Sequence, residues 1–287
     1  MPGSAHLRVA LTGASGFLGS HVHAALLNAG CEVRLVERDA LGRSLADLSS
    51  TLRAAGNVEV VVHLAAAGVS PKHAAPDILR VVNVELPARL VTAAAHAGIG
   101  RLVTAGTAAE YGMSADEHVH LPADAPLRPT SAYARSKAIG FAGAVDAAHE
   151  HEVALDHLRV FNAFGPGQDP RALWPALQEA AARGIDLNLS SGAQVRDFIS
   201  VGAVTDAFVA AVCHPDLRRG VRVRNVGTGE GTTVRRFAEQ WWEHWGATAA
   251  LRFGAIPDRK DEPCRLVADD GAIVGLSGPV DVDRTWP

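Results

Sequence analysis

The run LRVALTGASGFLG, Leu7–Gly19, is the strongest indication of the fold of this chain. Its apolar first half, Leu7–Thr12, predicts a short β-strand, and the spacing of Ser20–Ala29 predicts a helix closed by a glycine. The loop between them contributes Gly13, Gly16 and Gly19. Glycine permits a close backbone approach, and a helix N-terminus offers free N–H groups and a positive dipole end. The order strand, glycine loop and helix therefore predicts a site for the diphosphate of a dinucleotide.

The second predicted strand, Glu32–Val36, ends beside two residues that bear on the choice of dinucleotide. Glu37 has the position from which an acidic residue usually holds the adenosine ribose hydroxyls. Arg38 comes next, and its guanidinium could instead pair with a 2′-phosphate. The two side chains favour different cofactors, so the sequence leaves both NADH and NADPH open.

Apolar runs and helical spacings alternate along the chain after this point. The next predicted elements are a stunted strand Ser44–Leu48, a short helix Ser49–Ala55, a strand Val58–Leu64, a long helix Pro76–Ala97, a strand Leu102–Ala105 and a strand Val153–Val160. Val58–Leu64 is almost continuously apolar, as expected of a parallel sheet that is covered on both faces. The alternation is typical of an α/β protein with a doubly wound, Rossmann-type parallel sheet.

Beyond Phe161 the alternation becomes less regular, which favours a smaller C-terminal lobe. The predicted elements there are a helix Leu173–Arg183, a strand that opens at Arg196–Ile199 and a helix Val234–Trp245. Phe237, Trp241 and Trp245 recur every four residues and predict a buried stripe on the last helix.

A second informative stretch is SAYARSK, Ser131–Lys137, at the start of an alanine-rich helical pattern. It places Tyr133 and Lys137 four residues apart, so both side chains lie on one helix face. A phenol is a poor acid–base catalyst at neutral pH, and a neighbouring ammonium group favours its ionised form. The pair predicts a proton donor or acceptor tuned towards physiological pH, although the same spacing would suit two surface residues of an ordinary helix.

The composition limits the classes of protein that fit. The 287 residues are 48% hydrophobic and 20% charged, which is typical of a globular enzyme. A net charge of −4 gives no indication of a nucleic-acid or anionic-membrane partner. No apolar run reaches the length of a membrane span, and the first predicted strand begins too early to leave room for a signal peptide. Cys31, Cys213 and Cys264 fit reduced thiols in the cytoplasm better than disulfides.

Two histidine pairs, His118/His120 and His149/His151, raise the question of a metal site. Residues two apart do not converge on one face of a helix, and no frame of cysteines or carboxylates accompanies either pair. We therefore expect no metal.

Several further motifs occur in a familiar order and spacing. They are VVHLAA (Val61–Ala66), Asn83, GTAAEYG (Gly106–Gly112), LRVFNAFGPG (Leu158–Gly167), VRDFISV (Val195–Val201), NVGTGEG (Asn225–Gly231) and RKDEP (Arg259–Pro263). Together with TGASGFLG (Thr12–Gly19) and YARSK (Tyr133–Lys137), they make nearly the whole chain resemble the extended short-chain dehydrogenases/reductases, specifically the nucleotide-sugar epimerase and reductase branch. Each motif is modest alone, but the series is highly specific.

The resemblance implies roles for particular residues. Tyr133 would be the catalytic acid or base, Lys137 would lower its pKa and hold the nicotinamide ribose, and Thr107 would hold the reacting oxygen. The other residues that the resemblance places against the dinucleotide are Gly13, Ser15, Gly16, Phe17, Leu18, Gly19, Glu37, Arg38, Asp47, Leu48, Leu64, Ala65, Ala66, Asn83 and Phe161. The residues that would hold the sugar nucleotide, besides Thr107, are Asn162, Arg196 and Arg259. Guanidinium groups bind phosphate oxygens bidentately, but each arginine could instead form a structural salt bridge.

One departure from the family pattern narrows the reaction. Relatives that dehydrate nucleotide sugars carry an acidic pair directly after the catalytic threonine, and here those positions hold Ala108 and Ala109. Glu110 comes one residue later and is expected to point elsewhere. Because no carboxylate is placed to remove a ring proton, we expect reversible hydride transfer at a sugar carbon and no dehydration.

The predicted function is NAD(P)H-dependent reduction of a 4-keto nucleotide sugar, with a dTDP-4-keto-6-deoxyhexose as the expected substrate. NADPH is favoured by a small margin, on physiological grounds only. A nucleotide-sugar 4-epimerase that retains NAD is the alternative, and a non-catalytic dinucleotide sensor is a remote one, because fold alone does not establish function. We expect a cytoplasmic homodimer. In each subunit, residues 1–162, with a returning segment near 196–226, would form the dinucleotide-binding domain, and residues 163–195 and 227–287 the substrate-binding lobe.

Overall fold

The structure, a computed structural model, describes residues 7–69, 75–213 and 219–269. Its strands in these ranges are β1 (Arg8–Thr12), β2 (Glu32–Val36), β3 (Val60–His63), β4 (Arg101–Thr107), β5 (Ala154–Val160), β6 (Asn162–Phe164), β7 (Leu187–Leu189), β8 (Val195–Ser200), β9 (Val221–Val226), β10 (Gly231–Thr233), β11 (Leu251–Phe253) and β12 (Arg265–Leu266). Six of these described strands form one parallel sheet in the order β2-β1-β3-β4-β5-β9. The predicted Rossmann-type sheet is confirmed.

The helices of the described residues lie mainly on the two faces of this sheet. They are α1 (Phe17–Asn28), α2 (Arg38–Leu41), α3 (Leu45–Ala54), α4 (Pro76–Leu79), α5 (Leu86–His96), α6 (Ala132–Glu150), α7 (Leu173–Arg183), α8 (Val201–Cys213) and α9 (Val234–His244). Helices α1 and α8 pack together, as do α5 and α6. None of the described helices is both long and apolar enough to cross a membrane.

The sheet has two apolar cores because successive residues of a strand face opposite sides. In β1, Val9 and Leu11 belong to the core under α1 and α8, whereas Ala10 belongs to the core under α3, α5 and α6. All three side chains are fully buried. This burial on both faces explains why the central strands are continuously apolar in sequence.

One predicted strand is wrong. Ser44–Leu48 does not form a strand, because Ser44 is the N-cap of α3. This helix, Leu45–Ala54, includes the rest of that segment and most of the helix predicted to follow it. The Ser44 hydroxyl accepts a hydrogen bond from the Asp47 backbone N–H at 3.2 Å. A serine at this position satisfies one of the free donors of a helix N-terminus, which favours the helix over an edge strand.

The long helix predicted over Pro76–Ala97 is interrupted. Between α4 and α5, Arg80–Glu85 forms a π-helical segment, with Asn83 buried inside it. A π-helical turn inserts an extra residue into a helix and often occurs near a functional site. The side chain of Asn83 is turned inwards at this point.

The second half of the chain adds two smaller sheets within the described residues. Strands β10, β8 and β12 lie side by side, β6 pairs with β8, and β7 pairs with β11. Helix α9 buries Phe237 and Trp242, while Trp241 and Trp245 are only half-buried against the same cluster. The predicted buried stripe is therefore correct for Phe237 only, and the buried Trp242 was not predicted. The division into two domains stays a prediction, and residues 270–287 of its second part lie outside the described residues.

Candidate active site

The predicted site residues gather at one edge of the parallel sheet. Parallel strands all end at the same edge, and ligands of open α/β sheets bind in the crevice beyond those ends. Gly13 follows β1, Leu64 follows β3, and Phe161 follows β5. Thr107 is the last residue of β4, next to β3 and β5 in the sheet. Motifs far apart in sequence thus meet here.

The three glycines of the first loop have different surroundings. Gly13 has φ +74°, and a Cβ atom there would overlap the backbone of the loop after β3. A Cβ atom at Gly19 would collide with the carbonyl oxygen of Gly13. At Gly16 the nearest atom would be 3.4 Å away, an almost ordinary contact. Gly13 and Gly19 therefore allow the loop to pack, whereas Gly16 leaves open space at its exposed surface.

Helix α1 begins directly after this open space. Its N-cap is Gly16, no side chain caps it, and its first turn contains no acidic residue. The first N–H groups of a helix have no partner within the helix and carry a partial positive charge. The free N–H groups at the start of α1 and the open space at Gly16 are compatible with the diphosphate of a dinucleotide, and the site stays a prediction.

Asn83 connects the loop after β3 to helix α6. Its Oδ1 accepts from Ala67 N–H at 2.9 Å, and its Nδ2 donates to Ala67 O at 2.8 Å and to Ser136 Oγ at 2.9 Å. Both amide hydrogens are used inside the protein, so Asn83 holds Ala67, which directly follows Leu64–Ala66, and is not free to donate to a ligand.

Tyr133 and Lys137 lie on the first turns of α6, which is capped by Ser131. The Lys137 ammonium donates a hydrogen bond to Ala105 O at 2.9 Å, and the side chain is almost fully buried. Burial lowers the pKa of Lys137, and the negative charge of Glu110 partly offsets this. Burial, reinforced by Glu110, raises the pKa of the half-buried Tyr133. The expected lowering of the Tyr133 pKa by Lys137 is not found in this structure.

Thr107 ends β4 and starts a short 3-10 turn, Ala108–Glu110. Its Oγ1 accepts from Ala109 N–H at 3.3 Å, and its own N–H donates to Glu110 Oε1 at 3.0 Å. This reciprocal capping fixes both ends of the turn. The half-buried hydroxyl of Thr107 is thereby held at the carboxyl end of β4, where the resemblance requires it.

Glu110 has no exposed surface and turns towards β5, as expected of a residue that does not serve elimination. Its Oε2 accepts from Arg159 Nε at 2.8 Å and lies 3.3 Å from His157 Nε2. Burial alone would raise its pKa, but His157, Arg159 and Lys137 overcome this and hold the Glu110 pKa at about 2. Sequence reasoning missed this cluster, because its members lie 47 and 49 residues apart along the chain.

A small cavity adjoins Lys137 between β3, β4, β5, α5 and α6. The residues that line it are His63, Pro87, Thr104, Ala105, Lys137, Phe141, Ala144 and His157. His63 Nδ1 pairs with Thr12 Oγ1 at 2.7 Å, while its buried Nε2 has no partner among the described residues. Burial, with the charge of Lys137, lowers the His63 pKa to about 3. His63 is therefore neutral and cannot compete with Lys137 for a proton.

Two predicted substrate residues meet at a third that the sequence did not single out. Arg196 Nη2 lies 3.3 Å from Glu262 Oε2, and Arg259 Nη1 lies 2.6 Å from Glu262 Oε1. Asp116 also interacts with Arg196, so this group holds two carboxylates for its two guanidinium charges. The salt bridges named as an alternative do form. Asn162, the third predicted residue, is half-buried on β6.

The residues predicted to contact the adenosine differ in their exposure to solvent. Glu37 and Arg38 are exposed at the start of α2. Asp47 is exposed and accepts a hydrogen bond from the Ser44 hydroxyl at 2.7 Å. Leu48 has no exposed surface and packs in the core, which does not favour the predicted contact with the adenine ring.

Comparison with known proteins agrees with this geometry. A sequence model of the NAD dependent epimerase/dehydratase family matches residues 9–227. A UDP-glucose 4-epimerase of Azospirillum brasilense is 29% identical over 91% of this chain and 83% of the relative. A dTDP-6-deoxy-L-talose 4-dehydrogenase (NAD(P)(+)) of Kitasatospora kifunensis is 31% identical over 90% of this chain and 85% of the relative.

A solved structure has the same architecture. MoeE5 in complex with UDP-glucuronic acid and NAD superposes with a TM-score of 0.80 at 27% identity. The alignment covers 96% of this chain and 95% of MoeE5. The similarity therefore extends through both the large sheet and the smaller sheets of the second half.

Proposed function

This chain belongs to the NAD dependent epimerase/dehydratase family, and we propose that it reduces a 4-keto nucleotide sugar with NAD(P)H. Members similar to it are NAD-dependent nucleotide-sugar epimerases and dehydrogenases, so the chain is an enzyme of that type. The substrate that we propose is a dTDP-4-keto-6-deoxyhexose. The loop Gly13–Gly19 and the start of α1 would hold the dinucleotide diphosphate. When bound, the nicotinamide supplies or accepts the hydride.

The roles of the protein side chains follow from their positions. Tyr133 is kept protonated by its raised pKa, so it can donate a proton to the oxygen that forms at C4. The Thr107 hydroxyl, held by the capped turn, steadies that oxygen. Lys137 is oriented by Ala105 O and supplies a buried positive charge beside the developing alkoxide.

The observation that carries the choice of reaction lies directly after Thr107. Elimination of water from a sugar needs a carboxylate placed to remove a ring proton. Ala108 and Ala109 provide none, and Glu110 is buried and engaged by Arg159 and His157. This arrangement supports hydride transfer without dehydration. The 31% identical relative that is a 4-dehydrogenase supports the same choice.

A nucleotide-sugar 4-epimerase that retains NAD is the second candidate. The 29% identical UDP-glucose 4-epimerase covers a similar share of this chain, and the same Thr107, Tyr133 and Lys137 would serve that reaction. An epimerase oxidises and then reduces the same carbon, so its overall reaction consumes no cofactor.

Stoichiometry separates the two candidates. The purified protein is mixed with a panel of nucleotide sugars, and the absorbance of the reduced nicotinamide is followed while products are identified by mass and chromatography. A reductase consumes one reduced cofactor for each 4-keto sugar. Interconversion of 4-hydroxy sugars without added cofactor would show instead that the enzyme is an epimerase.

The proposal also includes the preferred cofactor, the cellular location and the oligomeric state. NADPH is the preferred cofactor by a small margin, because biosynthetic reductions usually use it. The enzyme acts in the cytoplasm as a homodimer. Ile78 on α4 and Ile139 on α6 are 50% and 57% exposed, on two helices that contact each other, and this exposed apolar surface supports the dimer.

A further inference from the structure

A buried ionic cluster lies beneath the residues that carry the proposed chemistry. Its members are Glu110, Tyr111, His157 and Arg159. We propose that Glu110 is a positioning residue that fixes the backbone of Thr107. It also places a buried negative charge near Tyr133 and Lys137. This inference rests on the proposed function and adds a residue to it.

The hydrogen bonds of Glu110 leave its carboxylate no freedom to rotate. One oxygen accepts from the Thr107 N–H at 3.0 Å, and the other accepts from Arg159 Nε at 2.8 Å. His157 closes the remaining side, and a Cβ atom at Gly106 would collide with its Nε2. A buried carboxylate held in this way transmits its position to whatever it binds, here the last residue of β4.

The partners of Glu110 are themselves fixed. Arg159 Nη1 donates to Tyr111 OH at 3.1 Å and to Ala123 O at 2.9 Å. His157 Nδ1 lies 2.8 Å from Thr104 Oγ1. A carboxylate can only accept, so His157 carries its proton on Nε2 and accepts from Thr104 at Nδ1. Burial lowers the pKa of His157, which keeps it neutral, and Arg159 is the permanent cation of the cluster.

The negative charge of Glu110 affects the pKa values of both residues proposed to handle protons, Tyr133 and Lys137. Several titratable or charged groups interact with Glu110. They are His157 and Arg159 on β5, Tyr133 and Lys137 on α6, and Tyr111, the next residue in the chain. His63 on β3 lies next to Lys137. Among these, Glu110 opposes the loss of the Lys137 proton and reinforces the rise of the Tyr133 pKa. Removing the charge therefore lowers both pKa values. Reduction needs both groups protonated, so its decline at high pH should begin earlier.

Three variants separate charge from shape. Glu110→Gln removes the charge but keeps an oxygen for the Thr107 N–H. Glu110→Asp keeps the charge but is too short to reach both Thr107 and Arg159. Tyr111→Phe breaks a hydrogen bond of the same cluster without changing charge, and is the matched control for lost stability.

The pH profile of kcat distinguishes the variants. We expect Glu110→Gln to move the high-pH decline of reduction down by about one pH unit, as for the loss of a nearby charge. Glu110→Asp should keep that decline in place but lower kcat by about tenfold, because Thr107 is displaced. Tyr111→Phe should lower the melting temperature and leave the decline where it is. An unmoved decline in Glu110→Gln, or wild-type kcat in Glu110→Asp, overturns the proposal.

A second measurement does not depend on turnover. The chain has two tyrosines, so in a Tyr111→Phe background the tyrosinate absorbance reports Tyr133 alone. Adding Glu110→Gln should make that band appear at lower pH, and identical titrations would contradict the inference. If Glu110→Gln does not fold, Glu110→Asp decides through its kcat. A wild type inactive on every nucleotide sugar would refute the proposed function, while the titration would still test Glu110.

Discussion

Tyr133 combines a position suited to acid catalysis with a pKa that burial and Glu110 raise. In the reducing direction Tyr133 enters the reaction with its proton, but the raised pKa also makes it a weaker acid. The spacing to Lys137 led us to expect the opposite shift. That spacing places both residues on one helix face, but Lys137 reaches past Tyr133 to the carbonyl of Ala105.

Replacement of Tyr133 tests its role directly. Tyr133→Phe removes the hydroxyl and keeps the ring, so kcat should fall by roughly 10²–10⁴-fold while substrate affinity changes little. Steady-state kinetics with calorimetric binding of the nucleotide sugar measures the two quantities separately. Near-native turnover in a folded Tyr133→Phe enzyme would remove Tyr133 from the mechanism.

Cofactor preference depends on two adjacent residues at the end of β2. In the proposed site Glu37 would accept the ribose hydroxyls and repel a 2′-phosphate, whereas Arg38 would pair with that phosphate. Both are exposed, so each charge contact is weak and discrimination between the cofactors should be modest. Arg38→Ala should raise KM for NADPH and spare NADH, and Glu37→Ala should do the reverse. An Arg38→Ala enzyme with unchanged NADPH kinetics would make NADH the better assignment.

At the scale of elements, the loop between β1 and α1 uses its glycines for two purposes. A side chain at Gly19 would collide with the backbone of Gly13, whereas a Cβ atom at Gly16 would make only a 3.4 Å contact with the Gly13 carbonyl oxygen. Glycine at position 19 is therefore required by packing, whereas glycine at position 16 would be required by the proposed dinucleotide.

Two variants of this loop should behave differently. Gly16→Val should weaken dinucleotide binding strongly, because the side chain fills the space above the N-terminus of α1, and should change the melting temperature little. Gly19→Ala overpacks the loop and should lower the melting temperature by roughly 5 °C. Calorimetric titration with NAD and thermal melts give both quantities. Undiminished NAD affinity in Gly16→Val would exclude this loop as the diphosphate site.

The elements that the sequence predicted well are those with local causes. The glycine loop and the Tyr133–Lys137 helix depend on residues within a few positions of one another. Ser44 was overlooked as the cap of α3, although a serine three residues before Asp47 was visible in the sequence. The contacts of Glu110 with Arg159 and of Glu262 with Arg196 were beyond prediction, because they depend on how strands and loops distant in the chain are brought together.

At the scale of the whole molecule, the neighbouring helices α4 and α6 each carry an exposed isoleucine, Ile78 and Ile139. Ile139→Glu should convert the proposed homodimer into a monomer, because a two-fold interface would bury this charge in both subunits. Ile256→Glu, at a comparably exposed isoleucine far along the chain, is the matched control and should leave the assembly unchanged. Sedimentation velocity reports both. A wild-type protein that sediments as a monomer would refute the dimer.

Strand β5 is buried along its whole length and is paired with β4 on one side and β9 on the other. Its amide hydrogens are thus shielded from water by both neighbouring strands and both cores. Deuterium should replace them only when the entire sheet opens, so their exchange rate reports the global free energy of unfolding. Strands β7 and β11, which pair only with each other among the described strands, should exchange through local opening long before. The residues assigned to the chemistry flank the slowest-exchanging strand, so the active site would be among the last regions to lose its geometry as the protein is destabilised.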